Sequence, residues 1–218
     1  FNALFERELR RRPEVVIANC RIDYLARMRG RDVPLVYRFS WPAGAGDAAA
    51  VARVAPRRYA IVAQALSHAA PIAAEGAPVT VIGNCVDLAR LAFNPAPGGY
   101  LAFLGRLTRN KGVDTAIRVA RATGLPLRIA GNVSDEEGGR EFFEREVEPH
   151  LGGDIRWIGE IGDAQKSDFL GNARALLVPI RWEEPFGLIV PEALACGPPV
   201  IASPRGSMPE LVRPGVNG

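Results

Sequence analysis

The 218 residues are 48% hydrophobic, enough to core one large domain or two small ones, and no run approaches the roughly 18 apolar residues of a membrane span. A net charge of +3, with basic residues scattered along the chain, gives no footing for a nucleic-acid partner. Of the 27 basic residues only Lys111 and Lys166 are lysines, which with abundant Ala, Gly and Pro points to a GC-rich, bacterial genome.

The chain opens in a helical pattern, "FNALFERELRRR", and stops at the turn "RPGVNG", so it reads as a piece cut at both ends. Short β-rich runs follow at 14–19, 34–39, 59–63 and 79–83, and again at 100–105, 126–131, 155–159, 174–179 and 199–203. Helical patterns lie between them, among them "KGVDTAIRVARATG", "GGREFFEREVEPHL" and "DAQKSDFLGNA". Such alternation predicts an α/β fold, with parallel sheets flanked by helices on both faces. "NPAPGGY" interrupts it with two prolines and two glycines and reads as a linker at 94–99. The expected domains are therefore 1–93 and 100–218, the first incomplete and the second lacking its last helices.

The three cysteines, Cys20, Cys85 and Cys196, share no metal-ligand spacing and read as buried free thiols of a reducing cytosol. No signal peptide is evident. "GAGDAA" at 44–49 matches a dinucleotide-binding pattern. Trp41 and Pro42 separate it from the strand, and no acid ends the next strand, so a flexible loop is expected. His68 is placed at a helix surface or domain edge, and His150 at the end of a charged helix. Asp163 reads as an N-cap.

Two stretches carry chemistry. "GRLTRNKG", 105–112, follows a strand and precedes a helix, so Arg106 and Lys111 flank a loop suited to a diphosphate. "RWEEPFGLIVPEALACGPPV", 181–200, puts Glu184 before a Pro-Phe-Gly turn and Glu192 one turn into the following helix. A helix N-terminus suits an anion, and acids beside it suit the hydroxyl groups of a ligand that also carries phosphate. A nucleotide sugar has both.

"GRLTRNKG", followed by "WIGEIGDAQKSDFLGNARALLVPIRWEEPFGLIVPEALACGPPVIAS", resembles the retaining glycosyltransferases of family four, and "VIGNCVD" resembles their Pro-Asn-Gly-Val-Asp segment with Gly83 in place of Pro. The resemblance implies the GT-B fold, two Rossmann-like domains facing across a cleft. It implies that Arg106 and Lys111 neutralise the leaving diphosphate and that the amides of Gly187 and Leu188 cap it. Glu184 would hold donor-sugar hydroxyls and Glu192 the ribose, in the family's Glu, seven residues, Glu signature. The donor-binding set is completed by Gly105, Phe186, Ile158 and Gly159, the last two beside the base. The expected reaction transfers a sugar, with retention, from a nucleotide-sugar donor to an unknown sugar, lipid or small-molecule acceptor. No cofactor, metal or transmembrane segment is expected, and the location is cytoplasmic or peripheral to the inner face of the membrane. With the family's first βα unit absent, this piece alone is expected to bind donor without transferring sugar. The alternatives are a catalytically incomplete nucleotide-sugar-binding remnant and an epimerase of the same fold. A phosphorylase would need a pyridoxal-bearing lysine, and neither lysine has that setting.

Overall fold

A computed structural model describes residues 2–96 and 98–218, with side chains from Glu6 onward. Pro97 of the expected linker lies outside the described residues. Each of the nine β-rich runs contains a strand: β1 Val16–Ala18, β2 Leu35–Arg38, β3 Tyr59–Ala63, β4 Val79–Val81, β5 Tyr100–Leu104, β6 Leu127–Ala130, β7 Ile155–Trp157, β8 Ala173–Val178 and β9 Val200–Ala202. The α-helices are α1 Asn2–Arg10, α2 Asp47–Val54, α3 Leu66–Ala74, α4 Val113–Thr123, α5 Gly139–Glu146, α6 Asp163–Gly171, α7 Ile189–Cys196 and α8 Met208–Leu211.

The chain forms two compact units, Phe1–Asn84 and Cys85–Gly218. The division falls ahead of the expected linker because residues before it already pack on the second unit. Ala92 N–H donates to Ser167 Oγ at 3.1 Å, Asn94 N–H to the Cys196 carbonyl at 2.9 Å, and Asn94 Nδ2 to the Gly171 carbonyl at 2.9 Å. These bonds satisfy backbone and amide groups that a free linker would leave to water.

In the first unit the parallel strands lie in chain order, β1-β2-β3-β4. Right-handed crossovers that advance in one direction bring their helices to one face. Leu35, Tyr37, Phe39, Ile61 and Ala63 accordingly share a single core with Ala48 and Val51 of α2 and Ala69 and Ile72 of α3. The second sheet runs β7-β6-β5-β8-β9. The chain starts in the middle, moves out one way, then returns to the other side of β5. Its helices therefore cover both faces. Leu101 and Phe103 pack with Ile117 of α4 and Phe142 of α5. Tyr100 and Ala102, pointing the other way by the period-two alternation of a strand, pack with Phe169 of α6 and Val190 of α7. The reversal between β5 and β8 is a topological switch point, and in open α/β sheets ligands bind outside the carboxyl ends of the strands there.

Several local expectations are corrected. The 44–49 stretch is a loop only at 44–46, and α2 begins at Asp47, its N-cap Gly46 held in place rather than flexible. Glu75 accepts from the backbone N–H of Gly46 at 2.6 Å and of Ala49 at 3.1 Å, so the chain's own carboxylate occupies the seat a phosphate would take. His68 is buried, 4% exposed, not at a surface. Its Nδ1 accepts from Gln64 N–H at 3.2 Å and its Nε2 donates to the Trp41 carbonyl at 2.8 Å, so the neutral ring ties β3 to the segment after β2. Burial lowers its pKa; the bond to Trp41 raises it, and Arg38 lowers it further. Asp163 is the first helical residue of α6, and Gly162 is its N-cap; the Gln165 side chain accepts from Gly162 N–H at 3.1 Å. Cys196 is buried, but Cys20 is half-buried and Cys85, in the loop after β4, is exposed.

Candidate active site

The loops that leave β5 and β8 are fastened together at the switch point. Arg181 N–H donates to the Asn110 carbonyl at 2.8 Å, and the Arg181 guanidinium reaches Asp114 at 2.5 Å and Thr115 at 2.7 Å. Gly112, at φ 77°, lies where a β-carbon would come within 2.0 Å of the Pro179 carbonyl oxygen. A side chain here would both strain the backbone and drive the loops apart.

This fastening places Lys111 against Glu184. The ammonium lies 2.5 Å from Glu184 Oε2, and the indole N–H of Trp182 donates to the same oxygen at 2.9 Å. The ammonium also sits over the Trp182 ring, 4.6 Å from its centroid. Both charged side chains are mostly buried, 23% and 13% exposed. Gly105, Lys111, Glu184, Gly187 and Leu188 line one cavity of about 190 Å³ outside the ends of β5 and β8. The start of α7 opens onto it through Gly187, Leu188 and Ile189, while Val190 N–H donates to the Gly187 carbonyl at 2.9 Å; the positive end of a helix favours an anion. A cation, a helix mouth and a carboxylate thus face one space.

The loop after β9 supports this arrangement from behind. Ser207 N–H donates to the Glu184 carbonyl at 3.0 Å, Ser207 Oγ to the Phe186 carbonyl at 2.6 Å, and Gly206 N–H to Glu183 Oε2 at 2.8 Å. Phe186 itself is buried at 8% exposure, so it anchors the turn rather than presenting its ring to the cavity.

The other expected residues lie around this centre. Glu192, on α7, lines an adjoining cavity of about 160 Å³ that shares Leu188 as a wall. Lys166 of α6 binds its Oε1 at 2.7 Å. Arg106 does not line the Lys111 cavity; its guanidinium pairs with Glu136 on the loop after β6. Ile158 and Gly159 lie at the carboxyl end of β7, where Ile158 N–H donates to the Ile129 carbonyl at 2.9 Å and the Gly159 carbonyl accepts from Gly131 N–H at 2.8 Å. They line neither cavity. Among the described residues no group of three or more His, Cys, Asp or Glu could hold a metal ion, and no helix is long and apolar enough to cross a membrane.

Sequence reasoning missed Trp182, Lys166 and the 205–207 support. Trp182 stands two residues before the signature acid and carried a signal, an indole donor directly followed by two carboxylates. Lys166 carried another, as one of only two lysines in an arginine-rich chain. The support had none.

Comparison with known proteins identifies the family and the fold. The family described as glycosyl transferases group 1 matches residues 93–218, more than half of the chain. Over 151 residues the chain is 32% identical to a glycogen synthase of Mycobacterium tuberculosis, covering 65% of this chain and 36% of that one. Over 170 residues it is 31% identical to a D-inositol 3-phosphate glycosyltransferase of Actinosynnema mirum, covering 67% of this chain and 40% of that one. The chain therefore spans well under half the length of these curated relatives. The crystal structure of Anabaena Alr3699/HepE in complex with UDP and glucose matches with a TM-score of 0.76 and 21% identity, over 94% of this chain and 63% of that one. That likeness shows the fold, α/β of the GT-B type with two Rossmann-like units. With the switch-point cavity and both glutamates inside the matched segment, the chain belongs to the glycosyl transferases group 1 family.

Proposed function

We propose that the second unit is the donor site of a glycosyltransferase, which takes a sugar from a nucleoside-diphosphate sugar and transfers it with retention to an acceptor the chain does not identify. The observation that carries this is the meeting of Lys111 and Glu184 at the mouth of α7, in a cavity at the switch point of the sheet. One relative of the fold, seen in two complexes, supports a nucleotide donor: Anabaena Alr3699/HepE is held with UDP in one structure and with UDP-glucose in another.

Glycosyl transfer builds negative charge on the departing phosphate, so the largest demand is for positive charge already in place. Lys111 and the backbone amides of Gly187 and Leu188, just ahead of α7, supply it. Arg106 adds to it, because its pair with Glu136 is solvent-exposed, 42% and 68%, and such pairs are worth about 0–1 kcal/mol, less than a guanidinium gains on a diphosphate. These charges stand where a divalent ion would otherwise be needed. Glu184 accepts from donor-sugar hydroxyls, Glu192 from the ribose, and the main chain around Ile158 and Gly159 meets the base. The reading places the enzyme in family four and in the cytoplasm or on the inner face of the membrane.

A thermal-shift screen with UDP, GDP and ADP, each beside its nucleoside, tests it. At least one diphosphate should raise the melting temperature in proportion to log concentration, since a ligand bound only by the folded form stabilises it by mass action. No shift with any of the three would refute the donor site.

A further inference from the structure

The chain uses arginine almost throughout, and its two lysines each sit on one of the two signature glutamates, Lys111 on Glu184 and Lys166 on Glu192. The second pair has no counterpart in the chemistry described above. Lys166 Nζ lies 2.7 Å from Glu192 Oε1 and 3.4 Å from Asp163 Oδ1, and the Lys166 and Glu192 side chains are 19% and 17% exposed. Glu192 and Lys166 both line the cavity that shares Leu188 with the Lys111 site.

Building on the proposed ribose role of Glu192, we propose that Lys166 is a positioning residue: it holds one carboxylate oxygen of Glu192 so that the other is fixed for ribose hydroxyls, and it thereby sets the preference for ribonucleotides over deoxyribonucleotides. A glutamate left to itself must give up rotamer freedom when it binds, and one already held gives up little. An ammonium suits the task better than a guanidinium. It is a compact charge with rotatable donors that can reach Glu192 and Asp163 at once, where a planar fork would take both oxygens of one carboxylate. Burial opposes the Lys166 charge, but the bonds and fields of Glu192 and Asp163 outweigh it and raise its pKa, so it is cationic at neutral pH.

A merely structural link between α6 and α7 would not discriminate between sugars, and the test exploits this. UDP, GDP and ADP are titrated calorimetrically into the chain, each beside its 2′-deoxy and 3′-deoxy counterparts, and into Lys166→Met and Glu192→Gln. Ribo- and deoxy-ligands meet the same preparation, so loss of folded protein lowers the stoichiometry and leaves the affinity ratio intact. Lys166→Met should weaken the ribonucleotide by about tenfold, the scale of one hydrogen bond to a charged group, and leave the deoxy form almost unchanged. The ratio should fall toward one, as in Glu192→Gln. A ratio preserved in Lys166→Met but lost in Glu192→Gln overturns the role of Lys166 alone. A ratio preserved in both removes the ribose role of Glu192 as well. Lys166→Gln, which keeps a polar head of similar reach, replaces the Met variant should that one not fold.

Discussion

Glu184 is held by two donors on a single oxygen, Lys111 at 2.5 Å and Trp182 at 2.9 Å, which leaves its other oxygen for a ligand. Glu184→Gln should therefore penalise the sugar-bearing donor and spare the bare diphosphate, since the amide keeps the shape but halves the acceptor capacity. Calorimetry with both ligands checks this, and a bare diphosphate weakened as much as the donor would end the sugar role. His68 makes a separate prediction. Its pKa in the folded chain lies below the ordinary 6.5, chiefly through burial, so the unfolded chain binds the proton more readily. The stability this contributes is present above about pH 6.5 and is lost as pH falls from there toward the folded value. Melting temperature should drop between about pH 7.5 and pH 5, and less steeply in His68→Gln, which cannot charge. Equal slopes would show that His68 does not titrate on unfolding.

At the scale of elements, the site depends on close approaches between loops. Gly206 stands at φ 54°, and a β-carbon there would come within 2.4 Å of both the N and the O of Glu184. Gly206→Ala should cost about 1–3 kcal/mol for the left-handed backbone alone and, by pushing Glu184 away from Lys111, weaken nucleotide-sugar binding further. Chemical denaturation and donor titration measure the two parts, and an unchanged variant would show that the loop after β9 yields freely. The nine strands were legible in the sequence because each is a short apolar run carrying β-branched or aromatic residues between turn residues, a signal that lives within about eight positions. Gly187 and the two glutamates were legible because helix-mouth chemistry is local as well. Lys111 was legible as a phosphate residue, but its pairing with Glu184 was not, nor was Lys166. Lys111 meets Glu184 across 73 residues and Lys166 meets Glu192 across 26, and only strand order decides which loops share an edge. The boundary at Asn84 was hidden for the same reason, since proline and glycine at 94–99 mark a bend without showing that Asn94 is bonded to Cys196.

Across the whole molecule, two parallel sheets of different strand order give the two units different uses. The first advances in one direction and gathers its helices into one core. The second reverses at β5, and that reversal brings Lys111, Glu184, Gly187 and the start of α7 to one cavity, all within Cys85–Gly218. The central claim is that this cavity binds the diphosphate of a nucleotide through Lys111. It is tested most directly by titrating UDP, GDP and ADP, each beside its nucleoside, into the chain and into Lys111→Met. The account predicts one bound diphosphate per chain, weakened about ten- to a hundredfold in Lys111→Met by loss of a charge-assisted bond worth about 1.5–3 kcal/mol, with nucleoside affinity nearly unchanged. Equal loss of diphosphate and nucleoside, or no binding of any of the three, would contradict it.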